Sequence, residues 1–144
     1  EQYSWNCQNM NEVQVAFGHW TDANVPQDRA VAINDAGAIA YFGNRRCIDL
    51  VGLNDHATLF TPPTFAQVCS DADATADWLL RRNVDSLVIF RAWYRDLCRH
   101  PRFTARFQPV QVFESRHYTV ADPRSGQTAM TAFRVLPREP AQPR

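Results

Sequence analysis

Three polar clusters carry the groups best suited to binding or acid–base work, and each follows an apolar run. Asn34-Asp35 follows residues 29–33, Asn54-Asp55-His56 follows residues 47–51, and Arg91, Trp93 and Tyr94 follow residues 84–90. Carboxylates and amides bond hydroxyl groups, imidazole and guanidinium add charge-assisted donors, and flat aromatic rings offer an apolar face to a sugar ring. Brought into one cleft, Asn34, Asp35, Asp55, His56, Arg91, Trp93 and Tyr94 would suit a sugar or a phosphorylated sugar. Asp35, Asp55 and His56 also have donor types that suit a divalent metal, yet no metal-ligand spacing accompanies them and no metal is assigned. The patterns GxSxG, GxxxxGK[ST], HExxH and GxGxxG are all missing. DAG at 35–37 has one glycine where a dinucleotide fingerprint needs three. The reading therefore names no catalytic residue and no cofactor.

Each of these residues also has a structural reading. Asp35 stands directly before AGAIAYF, where an N-cap belongs, and its carboxylate could accept the N–H of Gly37 or Ala38. Asp49 is embedded in an apolar strand, where an unpaired carboxylate would be costly; a neighbouring arginine such as Arg46 is the expected partner. Asp55 and His56 read equally as solvated loop residues, and Trp93 and Tyr94 as core or rim packing.

The elements that must position these groups centre on residues 29–53, RAVAINDAGAIAYFGNRRCIDLVGL. This stretch predicts a buried strand, an acidic turn, a short helix, a second buried strand and a closing glycine, Gly52. Gly37 allows close approach of backbone or ligand. Residues 84–90 predict a third buried strand. If the three strands are parallel, their C-terminal ends share one edge, which is where open α/β sheets bind ligands. The first crossover is near the minimum length, so direct adjacency of the first two strands is left open.

Upstream, Met10, Val13, Phe17 and Trp20 mark one face of a helix over residues 9–23, with Asn9 and Glu12 as a capping box. EQYSWNCQ before it reads as extended. Residues 54–72 read as a loop broken by Pro62-Pro63. A helix is expected over residues 73–82, with Trp78 and Leu79 inward, and a short one over 93–98. Residues 109–114, 117–121 and 128–136 predict strands, the last two joined by a DPRSG turn as an antiparallel hairpin. The expected fold is a small mixed α/β sheet with a Rossmann-like strand-helix-strand core, flanking helices and that C-terminal hairpin. Residues 1–136 form one domain, and residues 137–144 a disordered tail.

Bulk properties narrow the class. No apolar run approaches the roughly 20 residues needed to span a bilayer. There is no signal peptide, and the chain begins at Glu1 rather than Met, so an excised part of a longer protein is expected. All 15 basic residues are arginine, balanced by 15 acidic ones and dispersed among them; without a basic stripe, no nucleic-acid partner is expected. Cys7, Cys47, Cys69 and Cys98 lack zinc spacing. Two disulfides in an oxidising compartment and four free thiols both remain open.

VAINDAGAIAYFGNRRCIDLVGL, preceded by an amphipathic segment with Trp20 and then Pro26, resembles a known family. It is similar to the extracytoplasmic C-terminal domain of multi-spanning bacterial glycosyltransferases, the polyprenyl-phosphate-sugar-dependent enzymes of the protein mannosyltransferase and aminoarabinose transferase type. Asp35, Gly37, Tyr41-Phe42, Arg46, Ile48-Asp49-Leu50 and Gly52-Leu53 carry the likeness, and WLLRRNVDSLVIF at 78–90 extends it. The resemblance covers about residues 10–95. It implies a periplasmic domain anchored by an N-terminal membrane region of the same polypeptide, near a lipid-linked sugar or a glycan acceptor. It further implies that the catalytic acid lies in the membrane region, so that this domain shapes the donor or acceptor cleft without catalysing. A free-standing extracytoplasmic module for a sugar or small anion is the alternative.

Overall fold

The computed structural model describes residues 1–117 and 128–139. At its centre is a five-stranded mixed sheet. Strands β1 (Ala30–Ile33), β2 (Arg46–Asp49) and β3 (Val84–Ile89) are parallel, with β1 between the other two. Strand β5 (Ala129–Val135) runs antiparallel beside β3, and β4 (Phe107–Glu114) antiparallel beside β5, giving the order β2-β1-β3-β5-β4. Strands β1 and β3 are buried along their whole length, as continuous apolar runs covered on both faces must be.

Alternation along β1 separates two cores. Ala30 and Ala32 join Trp78, Leu79, Phe103, Phe107 and Phe133 on one face. Val31 and Ile33 join Val13, Phe17, Ile39, Val88, Phe90 and Met130 on the other. Helix α6 (Ala72–Arg81) covers the first face; the N-terminal helix and α3 (Ala36–Gly43) cover the second. The fold is therefore the mixed α/β architecture expected, and β1 and β2 are direct parallel neighbours despite their short crossover.

The N-terminal helix differs from expectation. It runs from α1 (Gln2–Met10) through a π-helical turn, Asn11–Val15, into α2 (Ala16–Asn24), so EQYSWNCQ is helical rather than extended. The wide turn shifts the helical register: Val13 and Phe17 enter the core while Met10 stays outside it. Asn9 is no cap. It lies buried in mid-helix, its Nδ2 donating to the carbonyl of His117, and Trp5 stacks on the His117 ring. Helix α2 lies so close to α3 that a Cβ at Gly18 would fall 2.6 Å from Phe42 Cβ, and this approach requires glycine.

Residues 54–72, expected as a loop, instead contain α4 (His56–Phe60) and α5 (Phe65–Val68). Local capping makes them possible. Asp55 Oδ1 accepts Ala57 N, and Thr64 with Gln67 forms a reciprocal capping box. The cis Pro62-Pro63 bond separates the two helices, and Trp78 Nε1 donates to Pro63 O at 2.7 Å. Helix α6 starts at Ala72 under its cap Asp71, one residue before the expected position. It leads into β3, after which α7 (Arg95–Arg99) and α8 (Phe103–Arg106) bring the chain to β4.

The Arg106 guanidinium is 1% exposed and binds Asp73 and Asp77, both at 2.6 Å, while its Nε donates to Leu136 O. Arg138 adds a second contact to Asp77. Hydrogen bonding from Arg106 holds the Asp73 carboxyl below its ordinary range. At Asp77 burial acts the other way, but the bonds from Arg106 and Arg138 outweigh it. In the C-terminal third, β4 and β5 form the antiparallel pair, with an irregularity at Pro109, which has no N–H for the ladder. The strand expected at 117–121 and its turn at 122–126 lie largely outside the described residues, as do residues 140–144 of the expected tail. Residues 137–139 form neither helix nor strand.

Candidate functional site

Chain order creates one preferred crevice. After β1 the chain moves outward to β2, then returns past β1 to β3 on its other side. The loops leaving β1 and β3 thus diverge, and such a switch point opens a cleft at the C-terminal strand ends. Asn34, 4% exposed, bridges those ends: its Oδ1 accepts Phe90 N at 3.1 Å. That bond orients the amide and leaves Nδ2 buried without a partner among the described residues. A cleft of about 350 Å³ lies here, lined by Asn34, Asp35, Gly37, Asp49, Asn54 and Trp93, with Val51 and Leu53 at its apolar side.

Asp35 holds the N-cap position of α3 but does not cap it. Its Oδ2 accepts Gln14 Nε2 at 2.9 Å instead, so the first-turn amides of α3 receive no side chain. Gln14 is buried within the π-helical turn, and its own Oε1 has no partner among the described residues. Gly37 follows in α3 with nothing within 4 Å of where a Cβ would stand. A side chain at Gly37 would therefore extend into open space beside the cleft.

Asp49 is closed off by its own loop. Oδ1 accepts Val51 N and Gly52 N, and Oδ2 accepts Asn54 N at 3.0 Å. The expected pairing with Arg46 is not made; Arg46 is exposed at the start of β2 and donates to the carbonyl of Arg82. A carboxylate beside three backbone N–H groups needs no guanidinium, because those donors already replace its water. Gly52 makes the turn possible with φ +84°, and Leu59 packs where a Cβ would stand. Gly52 thus closes the loop whose amides bond Asp49 in place of the expected arginine.

Of the residues proposed for ligand contact, Asn34, Asp35 and Trp93 meet in this cleft. Trp93, 45% exposed, also lines a neighbouring cavity of about 360 Å³ with Tyr94, Cys69, Ser70 and Arg95, and so forms the wall between the two. Burial raises the Tyr94 hydroxyl's pKa, which keeps it a neutral donor. The other three residues point elsewhere. Asp55 is committed to capping α4, also accepting Thr58 Oγ1 at 2.8 Å. His56 is exposed on α4 beside Phe60. Arg91 lies toward the Phe133 ring and near the Cys98 thiol, where its charge opposes the upward push of burial on that thiol.

Among the described residues, no group of three His, Cys, Asp or Glu side chains could hold a metal ion. The four cysteines are free thiols. Burial and the nearby Asp49 charge push Cys47 up to about 11, which makes it a poor nucleophile. Gln14 was not legible as a site residue. A lone glutamine beside Val13 carries no signal, and nothing in the sequence marks the π-helical turn that turns it inward. Val51 was likewise read only as the end of a strand, and Leu53 only as part of the family likeness, not as a cleft residue.

The sequence model of a family described as a domain of unknown function, DUF8728, matches residues 5–133. This chain belongs to that family. No curated protein matches the chain. No solved structure matches it either. In this DUF8728 domain the match takes in the π-helical turn, the switch-point cleft and most of β5. No helix among its described residues is long and apolar enough to cross a membrane.

Proposed function

We propose that this DUF8728 domain is a non-catalytic, extracytoplasmic accessory domain of an integral-membrane glycosyltransferase, with its switch-point cleft helping to shape the donor or acceptor sugar site. One observation carries the reading. Asp35, Gly37, Asp49 and Leu53, four of the residues that bear the resemblance to such enzymes, line the same cleft. Residues shared for packing alone would be scattered through the core. The cleft's chemistry agrees with binding rather than turnover: Asp49 is enclosed by its own loop amides, and Asp35 is bonded to an amide rather than to a nucleophile or an imidazole.

On this reading the membrane region of the same polypeptide supplies catalysis and anchors the domain in the periplasm, and a lipid-linked sugar or glycan acceptor passes near the cleft. The coding sequence upstream of Glu1 tests it. Several hydrophobic spans of about 20 residues are expected there; a signal peptide alone would overturn the membrane part of the proposal. In that event the half-exposed Trp93 beside an amide and a carboxylate favours the second reading, a free-standing sugar-binding module.

A further inference from the structure

We infer that the cleft selects an uncharged, polyhydroxylated ring and disfavours its phosphorylated or carboxylated derivatives; this rests on the sugar-cleft reading above. The argument begins with unfilled hydrogen-bonding capacity. Asn34 Nδ2 is a buried donor without an acceptor among the described residues. The first-turn amides of α3 receive no side-chain cap. Asp35 accepts one hydrogen bond on Oδ2, from Gln14, and none on Oδ1 among the described residues. Donors and an acceptor thus stand side by side. A hydroxyl group can accept from the first and donate to the second, whereas an anionic oxygen can only accept.

Charge points the same way. A bare helix N-terminus attracts anions, but here the Asp35 carboxylate, at the N-cap position without bonding the amides, sets a negative charge beside that end. Asp49 adds a second carboxylate, and among the described residues no arginine or histidine lines the cleft. Arg91, the cation expected to meet a phosphate, is turned toward Phe133 and Cys98. The exposed face of Trp93 suits the apolar face of an uncharged ring. Gln14 acts as a positioning residue. By holding Asp35 away from the α3 amides, it keeps acceptor and donors available to the same ligand.

Amide NMR of the chain, titrated with methyl glucoside and methyl mannoside and with the two hexose 6-phosphates, tests the inference. The neutral glycosides should shift the Asn34 side-chain amide and the Gly37 and Ala38 backbone amides. The phosphates should bind at least about tenfold more weakly at low salt, the gap narrowing as salt screens the carboxylates. Asp35→Asn should also narrow it. Gly37→Leu, placed in open space without a positive φ, should abolish the shifts and leave the unfolding temperature unchanged. Phosphates that match or exceed the neutral glycosides at these amides would overturn the charge selection and leave the sugar cleft standing. If no probe moves these amides, both the selection and the sugar reading fall.

Discussion

Asp35 and Asp55 begin helices with nearly the same backbone, φ −135° and ψ 92° against φ −133° and ψ 94°. Asp55 closes onto its own helix through Ala57 N and Thr58 Oγ1. Asp35 does not, because Gln14 from a different helix takes its carboxylate. The local conformation permits the cap in both places, and a tertiary neighbour removes it in one. Asp49, a short distance along the same sheet edge, is the extreme of the closed case, with three loop amides around it. At this edge both Asp35 and Asp49 line the cleft, but the open carboxylate is the one whose environment is set by another element.

The most forceful way to break the comparison is to remove the enclosed carboxylate. Asp49→Ala leaves three loop N–H groups without their acceptor, one of them in a fully buried bond, and should destabilise the domain by about 3 kcal/mol in denaturant unfolding. An effect near zero would mean that water replaces the carboxylate and that the loop is not closed.

The Arg106 cluster offers a closed set built from side chains instead of backbone. Asp73 and Asp77 have lowered folded pKa values, so their contribution is complete above the ordinary carboxylate value of 3.8 and is lost as pH falls through the lowered values. Arg106→Met should therefore be less stable than the parent at pH 7, with the difference shrinking below pH 3.8. Thermal melts across that range check this; a constant offset would assign Arg106 to packing alone.

The direct contrast comes next in size. Asp55→Ala should cost about 1 kcal/mol, the usual value of a lost N-cap. Asp35→Asn keeps an acceptor for Gln14 and should stay within about 0.5 kcal/mol of the parent. Equal losses at both sites would show that Asp35 caps α3 in solution. The smallest change expected is a gain. Gln14→Leu removes a buried carbonyl that has no partner and frees Asp35 to cap α3, so stability should rise by up to about 1 kcal/mol. Sugar-induced shifts at Gly37 should weaken in that same variant.

Much of the scaffold was legible because its signals are local. The apolar runs at β1 and β3, the capped α6 with Trp78 and Leu79 inward, and the strand-helix-strand unit all follow from short-range pattern. The two short helices between Asn54 and Asp71 were not, since helices of four or five residues carry too little periodicity to detect. Of the proposed site, Asn34, Asp35 and Trp93 were found by following strand ends. Asp55, His56 and Arg91 were grouped with them on the same logic and lie elsewhere, because a side chain's direction depends on which neighbour satisfies it.

The sequence by itself determined the fold class and which residues follow each apolar strand, because apolar periodicity and turn residues act over a few positions; that these strand ends share one edge depended on the parallel pairing. Only the tertiary structure decided which carboxylate stays open there. That outcome depends on Gln14 meeting Asp35 across 21 positions of chain, and on Asn34 meeting Phe90 across 56. Hydrogen bonds of that kind leave no periodic trace, since each follows from packing whole elements together.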